Sequence, residues 1–172
     1  MRLSHAEPLY GDRDSQRSLR NDDQVAGAKL GRGTRVNRAE LERLAKERIT
    51  DAKVLLAARR WSAAYYLAGY AVECALKACI AKLMKPEEFP DRIFADKCWT
   101  HNLPQLLGLA DLKTDFDAAM QADPDLRDNW DIAKEWNESR RYARKTKADA
   151  EDLYEATTDN KHGVLSWLKP RW

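Results

Sequence analysis

Apolar residues in this sequence recur at helical spacing, and no stretch has the alternating, β-branched pattern of a strand. From residue 38 to about residue 59 they follow a three-and-four spacing with charged residues between them, which predicts an amphipathic helix with one buried face. From residue 61 to about residue 83 there are two apolar stripes on different sides. This second pattern is typical of a helix that is central in a bundle or lies at a subunit interface.

Capping residues and prolines mark where helices begin and end. Asn37 is a predicted N-cap, and Glu40 occupies the capping-box position three residues later. Pro86 and Pro90 interrupt the helical pattern, so the segment from there to Thr100 is predicted to be a loop. Thr100 is then the predicted N-cap of a short helix.

Two further amphipathic segments follow, at residues 114–121 and from about residue 148 to residue 168. Together the segments predict an all-α fold, an up-and-down bundle of four or five helices that occupies residues 37–172. Residues 1–36 hold four of the seven glycines and scattered charge without apolar periodicity. They are predicted to form a flexible N-terminal tail.

The charge balance argues against several classes of protein. The formal net charge is only +2, from 30 basic and 28 acidic residues, so nucleic-acid binding would require a local basic patch. The longest uncharged apolar run, residues 61–72, is shorter than the roughly 20 residues of a membrane span. No secretory leader is visible. We therefore expect a cytoplasmic protein that does not enter a membrane.

The cysteines and histidines do not form a metal-binding motif. Cys74 and Cys79 lie about 140° apart around a helix axis, so together with Cys98 they are predicted to be buried structural thiols in a reducing compartment. None of the three histidines has a second histidine or a cysteine at metal-ligand spacing. The only glycine cluster lacks the preceding strand of a phosphate-binding loop. We predict neither a metal nor a cofactor.

Glu73 is an acidic residue inside the apolar second helix, four residues before Lys77. One interpretation is an ion pair on the single solvated edge of that helix. The other is that Glu73 points into a polar cleft, because a carboxylate flanked by Val72 and Cys74 must find a partner if it is buried.

The stretch "WNESRRYARKTKADAE", residues 136–151, concentrates positive charge in one short polar segment. Its candidate ligand-binding residues are Arg140, Arg141, Tyr142, Arg144, Lys145 and Lys147. A bland interpretation is also open, in which these residues are the solvated start of the last helix and bind no ligand.

Three stretches occur in a characteristic order along the chain. They are "RITDAKVLLAARRWSAAYYLAGYAVECALKACIAK" at residues 48–82, "THNLPQLL" at 100–107 and "NESRRYARK" at 137–145. In this order they resemble the HEPN family, the higher-eukaryote and prokaryote nucleotide-binding domain, over about residues 38–168. The resemblance implies an all-α bundle, frequently a homodimer, in proteins tied to RNA metabolism, to toxin–antitoxin systems or to partnership with small nucleotidyltransferases.

Many catalytic HEPN proteins are metal-independent ribonucleases that carry an arginine followed, after four to six residues, by a histidine. Here no histidine follows Arg140, Arg141 or Arg144 at that spacing, and neither His101 nor His162 has an arginine before it at that spacing. The resemblance therefore does not carry ribonuclease activity to this chain. What the resemblance still implies is anion recognition, because Arg140, Arg141 and Arg144 match the region where the family presents its basic residues. Tyr142 could stack on a base.

The leading hypothesis is a non-catalytic HEPN-like module that binds a nucleotide, an RNA or a protein partner, with Glu73 and His101 as further candidate ligand-binding residues. One alternative is a divergent ribonuclease that uses His101 with the basic cluster, which requires the helix after Thr100 to fold against the last helix. Another is a purely structural or antitoxin-type dimeric partner, with the second helix as its contact surface.

Overall fold

The computed structural model describes residues 36–84 and 91–172, and all regular secondary structure in these ranges is helical. The α-helices are α1 (Arg38–Ala57), α2 (Trp61–Leu83), α3 (Arg92–Lys97), α4 (Leu103–Leu109), α5 (Lys113–Ala122), α6 (Pro124–Ala133), α7 (Lys147–Thr158) and α8 (Val164–Leu168). A short 3-10 helix, Glu138–Tyr142, lies between α6 and α7.

The predicted all-α class is confirmed, and five of the α-helices in the described ranges have ten or more residues. The predicted tail, residues 1–36, lies outside the described residues except for Val36. Within the described ranges, no helix combines the length and apolar character needed to cross a membrane.

Helix α2 is the centre of the bundle, as its two apolar stripes predict. It packs against α1, α4, α7, α8 and the 3-10 helix, and thirteen of its 23 residues are buried. Many of these are small residues, which let neighbouring helices approach closely: Ala64, Ala68, Gly69, Ala71, Ala75 and Ala78. Most of the apolar surface of α2 is therefore buried within one chain.

Helix α1 begins where the sequence predicts. The side-chain oxygen of Asn37 accepts a hydrogen bond from the Glu40 backbone N–H at 3.0 Å. The predicted capping box is nevertheless incomplete, because the Glu40 carboxylate pairs with Arg43 instead of returning to the cap. The turn into α2 passes through Arg59, whose φ of 56° lies in the left-handed region.

The segment predicted to be a loop contains helix α3, so that prediction is wrong for residues 92–97. Asp91 starts this helix, because its carboxylate accepts from the Phe94 N–H at 2.8 Å. The predicted N-cap of α4 is also displaced. Asn102, not Thr100, accepts from the backbone N–H of Gln105 at 2.9 Å.

The single helix predicted for residues 148–168 is two helices, α7 and α8. Helix α7 starts at a capping box formed by Thr146 and Asp149. It ends at Asp159, whose carboxylate accepts the backbone N–H groups of Lys161 and His162 and so reverses the chain. Gly163 is needed in this turn, since a Cβ there would lie 2.4 Å from the Asp159 carbonyl oxygen.

Trp136, just after α6, packs directly on the backbone of α2. The indole is 1 % exposed, and a Cβ at Gly69 would lie 2.2 Å from it. The Tyr66 ring lies beside the indole with the ring centroids 5.6 Å apart. The absence of a side chain at Gly69 is therefore what allows Trp136 to approach α2.

We expect Gly69→Ala to destabilise the protein by about 3 kcal/mol, because the new methyl group overlaps the indole of Trp136. Chemical unfolding in urea measures this free energy. Gly108→Ala is the matched control: nothing lies within 4 Å of a Cβ there, and a helical alanine should stabilise by roughly 0.5 kcal/mol.

A double-mutant cycle with Trp136→Ala separates the clash from any intrinsic effect at residue 69. Trp136→Ala alone should cost about 3–5 kcal/mol, and in that background the cost of Gly69→Ala should largely disappear. Strict additivity of the two changes would contradict the proposed contact.

Candidate functional site

The basic segment, defined as residues 140–147, connects the end of the 3-10 helix to the start of α7 and is extended at Ala143. It is held to the bundle on both sides. Trp136 anchors the chain before it. Near its other end the Lys145 backbone N–H donates to the Ser62 hydroxyl oxygen at 2.9 Å. Most of the segment precedes α7, whose N-cap is Thr146 and whose first residue is Lys147.

Most side chains of the basic segment are open to solvent. Arg141, Arg144 and Lys147 are exposed, and Tyr142 is 85 % exposed with the Arg141 guanidinium 5.4 Å from its ring centroid. Lys147 pairs with Glu151 at 3.5 Å. No other cation of the segment forms an ion pair with an acidic side chain among the described residues, so its charge is largely uncompensated.

Two guanidinium groups of the segment already donate to backbone carbonyls. Arg141 donates one hydrogen bond, from Nε to the Glu138 carbonyl oxygen at 2.8 Å. Arg140 donates two hydrogen bonds to the Glu135 backbone carbonyl, at 3.1 and 3.3 Å, just after α6. Lys145 is positioned too, since its Nζ lies 4.2 Å from the ring centroid of Tyr65. Burial raises the pKa of Tyr65 and keeps that ring neutral beneath the ammonium.

A cavity of about 340 Å³ lies at the α1–α2 turn, beside the basic segment. Its lining residues are Arg59, Arg60, Trp61, Ser62, Ala63 and Lys145. Three of these lining residues, Arg59, Arg60 and Lys145, are cations. Neither arginine makes an ion pair with an acidic side chain in the described ranges. Sequence reasoning did not single out these two arginines, although the "RR" before Trp61 was the available signal.

The Glu73 carboxylate is buried and has two hydrogen-bond partners, Lys77 and His101. Its side chain is 2 % exposed, and it accepts from Lys77 Nζ at 2.9 Å. His101 Nδ1 lies 2.9 and 3.0 Å from its two oxygens. Because an ionised carboxylate only accepts, Nδ1 carries a proton. The predicted ion pair with Lys77 is therefore present, but the prediction that it lies on a solvated edge is wrong for the Glu73 carboxylate. Its partners come from α2 and from the residues just before α4.

The predicted site residues fall into two separate groups. Ser62, which contacts the basic segment, and Glu73, which contacts His101, are eleven residues apart on α2, or about 16 Å along the helix axis. Helix α4 packs on α2, and α4 with α7 is not among the principal helix contacts of the described residues. The assembly that a ribonuclease based on His101 and the basic cluster requires is not formed within one chain.

A third polar cluster joins the start of α6 to the turn between α7 and α8. His162 Nδ1 lies 2.8 Å from an Asp123 oxygen, and its Nε2 lies 3.7 Å from an oxygen of Asp125. One potential ligand atom from each residue lies within 4.8 Å of the others, a grouping that the sequence hides because His162 is 39 residues from Asp123. The hydrogen bond to Asp123 raises the pKa of His162 and lowers that of Asp123.

The prediction of buried thiols is confirmed for Cys74 and Cys79, and Cys98 is half-buried. Burial raises the pKa of Cys74 and of Cys79 to about 11. Both thiols are therefore protonated at neutral pH, which makes them poor nucleophiles and suits a structural role.

Comparisons with known proteins found no matching family model, no similar curated protein and no similar solved structure.

We expect Glu73→Ala to cost about 3 kcal/mol of unfolding free energy in urea, because it leaves the largely buried Lys77 ammonium without its carboxylate. Glu47→Ala is the matched control. Glu47 pairs with Arg43 at an exposed position on α1, so its loss should cost under about 1 kcal/mol. Equal effects of the two substitutions would contradict the buried role of Glu73.

We expect the pKa of His162 in the folded protein to lie above the ordinary histidine value and to fall in Asp123→Asn. Asp125→Asn should have a smaller effect, because that carboxylate is farther from the ring. Proton NMR titration of the imidazole measures all three values.

The same pair predicts the sign of a pH effect on stability. The raised pKa of His162 adds to the free energy of unfolding. This stabilisation is complete below about pH 6.5 and is lost as pH rises through the folded-state pKa. The lowered pKa of Asp123 also adds to the free energy of unfolding. This stabilisation is present above about pH 3.9 and is lost as pH falls through the folded-state pKa. The stability difference between the parent and Asp123→Asn should therefore be largest between these limits.

Proposed function

We propose that this protein is a non-catalytic, HEPN-like module that binds a phosphate-bearing ligand, a nucleotide or an RNA strand, through the basic segment. The observation that carries the proposal is the exposure of Arg141 and Arg144, neither of which has an acidic side-chain partner in the described ranges, on a segment fixed to the bundle on both sides.

The side chains suit a phosphate ligand for chemical reasons. Arg141 and Arg144 present planar guanidinium groups, which pair with two phosphate oxygens at once. Tyr142 offers an exposed ring beside Arg141, on which a base could stack. Because the net charge of the chain is only +2, attraction would be confined to this local patch.

The structure also bears on the choice between binding and catalysis. The basic segment contains no histidine, and the His101–Glu73 pair lies about 16 Å away along α2. Two carboxylates touch the segment and both are engaged: Asp149 accepts from the Thr146 N–H and hydroxyl, and Glu151 pairs with Lys147. The cations of the segment, the Ser62 hydroxyl and the Tyr65 ring hold an anion but do not transfer protons readily at neutral pH. We therefore favour recognition over cleavage.

The wider context rests on the resemblance to HEPN proteins. On that basis we propose a cytoplasmic homodimer with a nucleotidyltransferase as a possible partner, in a toxin–antitoxin setting. The burial of α2 removes the separate argument for a dimer from its apolar faces, since those faces pack within the chain. The same burial disfavours a purely structural partner protein that uses α2 as its contact surface.

We expect Arg141→Glu combined with Arg144→Glu to lower affinity for a fluorescein-labelled single-stranded RNA at least about tenfold in anisotropy titrations, because both reversals replace attraction to phosphate by repulsion. The dependence of log affinity on log salt concentration should also become shallower, by about 0.7 for each lost phosphate contact. Arg140 is left unchanged, since its guanidinium stabilises the chain after α6.

The control is Arg92→Glu combined with Lys97→Glu, which reverses the same number of charges on α3. Helix α3 adjoins the opposite end of α2, where Ala95 and Cys98 line a groove with Ile80 and Met84. If the control weakens RNA binding as much as the first variant, or if the parent binds neither RNA nor a nucleotide, the proposed function is wrong.

A further inference from the structure

The cavity at the α1–α2 turn adjoins the basic segment, because Lys145 belongs to both. We infer that this cavity holds the terminal phosphate group of the nucleotide or RNA strand, with Arg59, Arg60 and Ser62 as the residues that recognise it. The inference rests on the proposed function and adds to it the chemical class of the bound end.

The charge of the cavity matches a terminal phosphate better than an internal one. A phosphate monoester carries about −1.5 to −2 charges at neutral pH, and a diester carries one. Arg59, Arg60 and Lys145 supply three cations. Among the described residues the two arginines form no ion pair, and Lys145 has the Asp149 carboxylate nearby without a direct ion pair. A site of this charge gains most from the ligand with the greater negative charge.

The hydrogen-bond donors of the cavity are also available. The Ser62 oxygen accepts from the Lys145 N–H, so the Ser62 hydroxyl hydrogen remains to be donated to an anion. Helix α2 has no side-chain cap, and the first intrahelical hydrogen bond from its start is Ala64 N–H to the Arg60 carbonyl. The preceding backbone N–H groups, on Trp61, Ser62 and Ala63, lack an intrahelical acceptor.

The connection between cavity and segment explains why the phosphate should be terminal. Lys145 is fixed at their junction by its backbone hydrogen bond to Ser62 and by its Nζ, 4.2 Å from the Tyr65 ring centroid. A strand that follows the exposed side chains of Arg141, Tyr142 and Arg144 therefore reaches the cavity at one end. Its last phosphate would meet the cluster of cations there.

The test compares three RNAs of one sequence: one with a 5′-phosphate, one with a 3′-phosphate and one with hydroxyl groups at both ends. Affinities for the full chain are measured by competition against a labelled RNA. We expect one phosphorylated end to bind about tenfold more tightly than the hydroxyl-ended RNA, as charge-assisted hydrogen bonds to the extra charge should provide. Inorganic phosphate should remove only the additional affinity of the phosphorylated RNA and leave the affinity of the hydroxyl-ended RNA unchanged.

The variants are Arg59→Asn combined with Arg60→Gln, and Arg60→Gln alone. Asparagine is chosen at residue 59 because it tolerates the left-handed backbone there. Both variants should lose the preference for the phosphorylated end and keep the affinity for hydroxyl-ended RNA. Circular dichroism and the thermal midpoint check that each variant folds.

Equal affinity of the parent for all three RNAs overturns the inference, and so does a preference that survives in both variants. In either case the proposed function stands if Arg141→Glu with Arg144→Glu still lowers the affinity for RNA at least about tenfold. If the parent binds none of the RNAs and no mononucleotide, the proposed function fails and the inference fails with it.

Discussion

The contact between Trp136 and Gly69 determines where the candidate site lies. The indole rests on the backbone of the central helix α2, in a space that exists only because residue 69 has no side chain. This contact fixes the chain immediately before the basic segment. The hydrogen bond from Lys145 to Ser62 then fixes it near the other end. A polar, exposed stretch is thereby held in a defined position, which lowers the conformational entropy that it would lose on binding a ligand.

The polar groups that contact α2 form two separate sets, one at its first turn and one at its middle. Its first turn carries the cationic cavity and contacts the basic segment, whereas Glu73, in its middle, holds Lys77 and His101. The first group is exposed and has an excess of positive charge, as a binding surface requires. In the second group, the buried carboxylate accepts hydrogen bonds from Lys77 and His101, and so fastens the chain just before α4 to α2. This division favours binding at one end of the helix and structural support at its middle.

Local sequence patterns predicted the helices whose stability depends on an amphipathic face. The bounds of α1 and α2 follow from their apolar spacing and from the cap at Asn37. The patterns failed where a few polar groups compete with helix continuation. At residues 159–163 the Asp159 carboxylate captures two backbone N–H groups, so the apolar period continues through a break in the helix. At residues 92–97 the cap at Asp91 starts a helix within a segment that the prolines had marked as a loop.

The all-α class, the two apolar faces of α2 and the concentration of positive charge at residues 140–147 can be read from the sequence, because they depend on composition and on spacing within a single helix. The tertiary structure was needed to show that α2 is central and which charges meet. Arg59 and Arg60 lie more than 80 residues before Lys145, and His101 lies 28 residues beyond Glu73. Local periodicity carries no information about such distances. They follow from how α2 packs against its neighbours, and that packing depends on small residues such as Gly69.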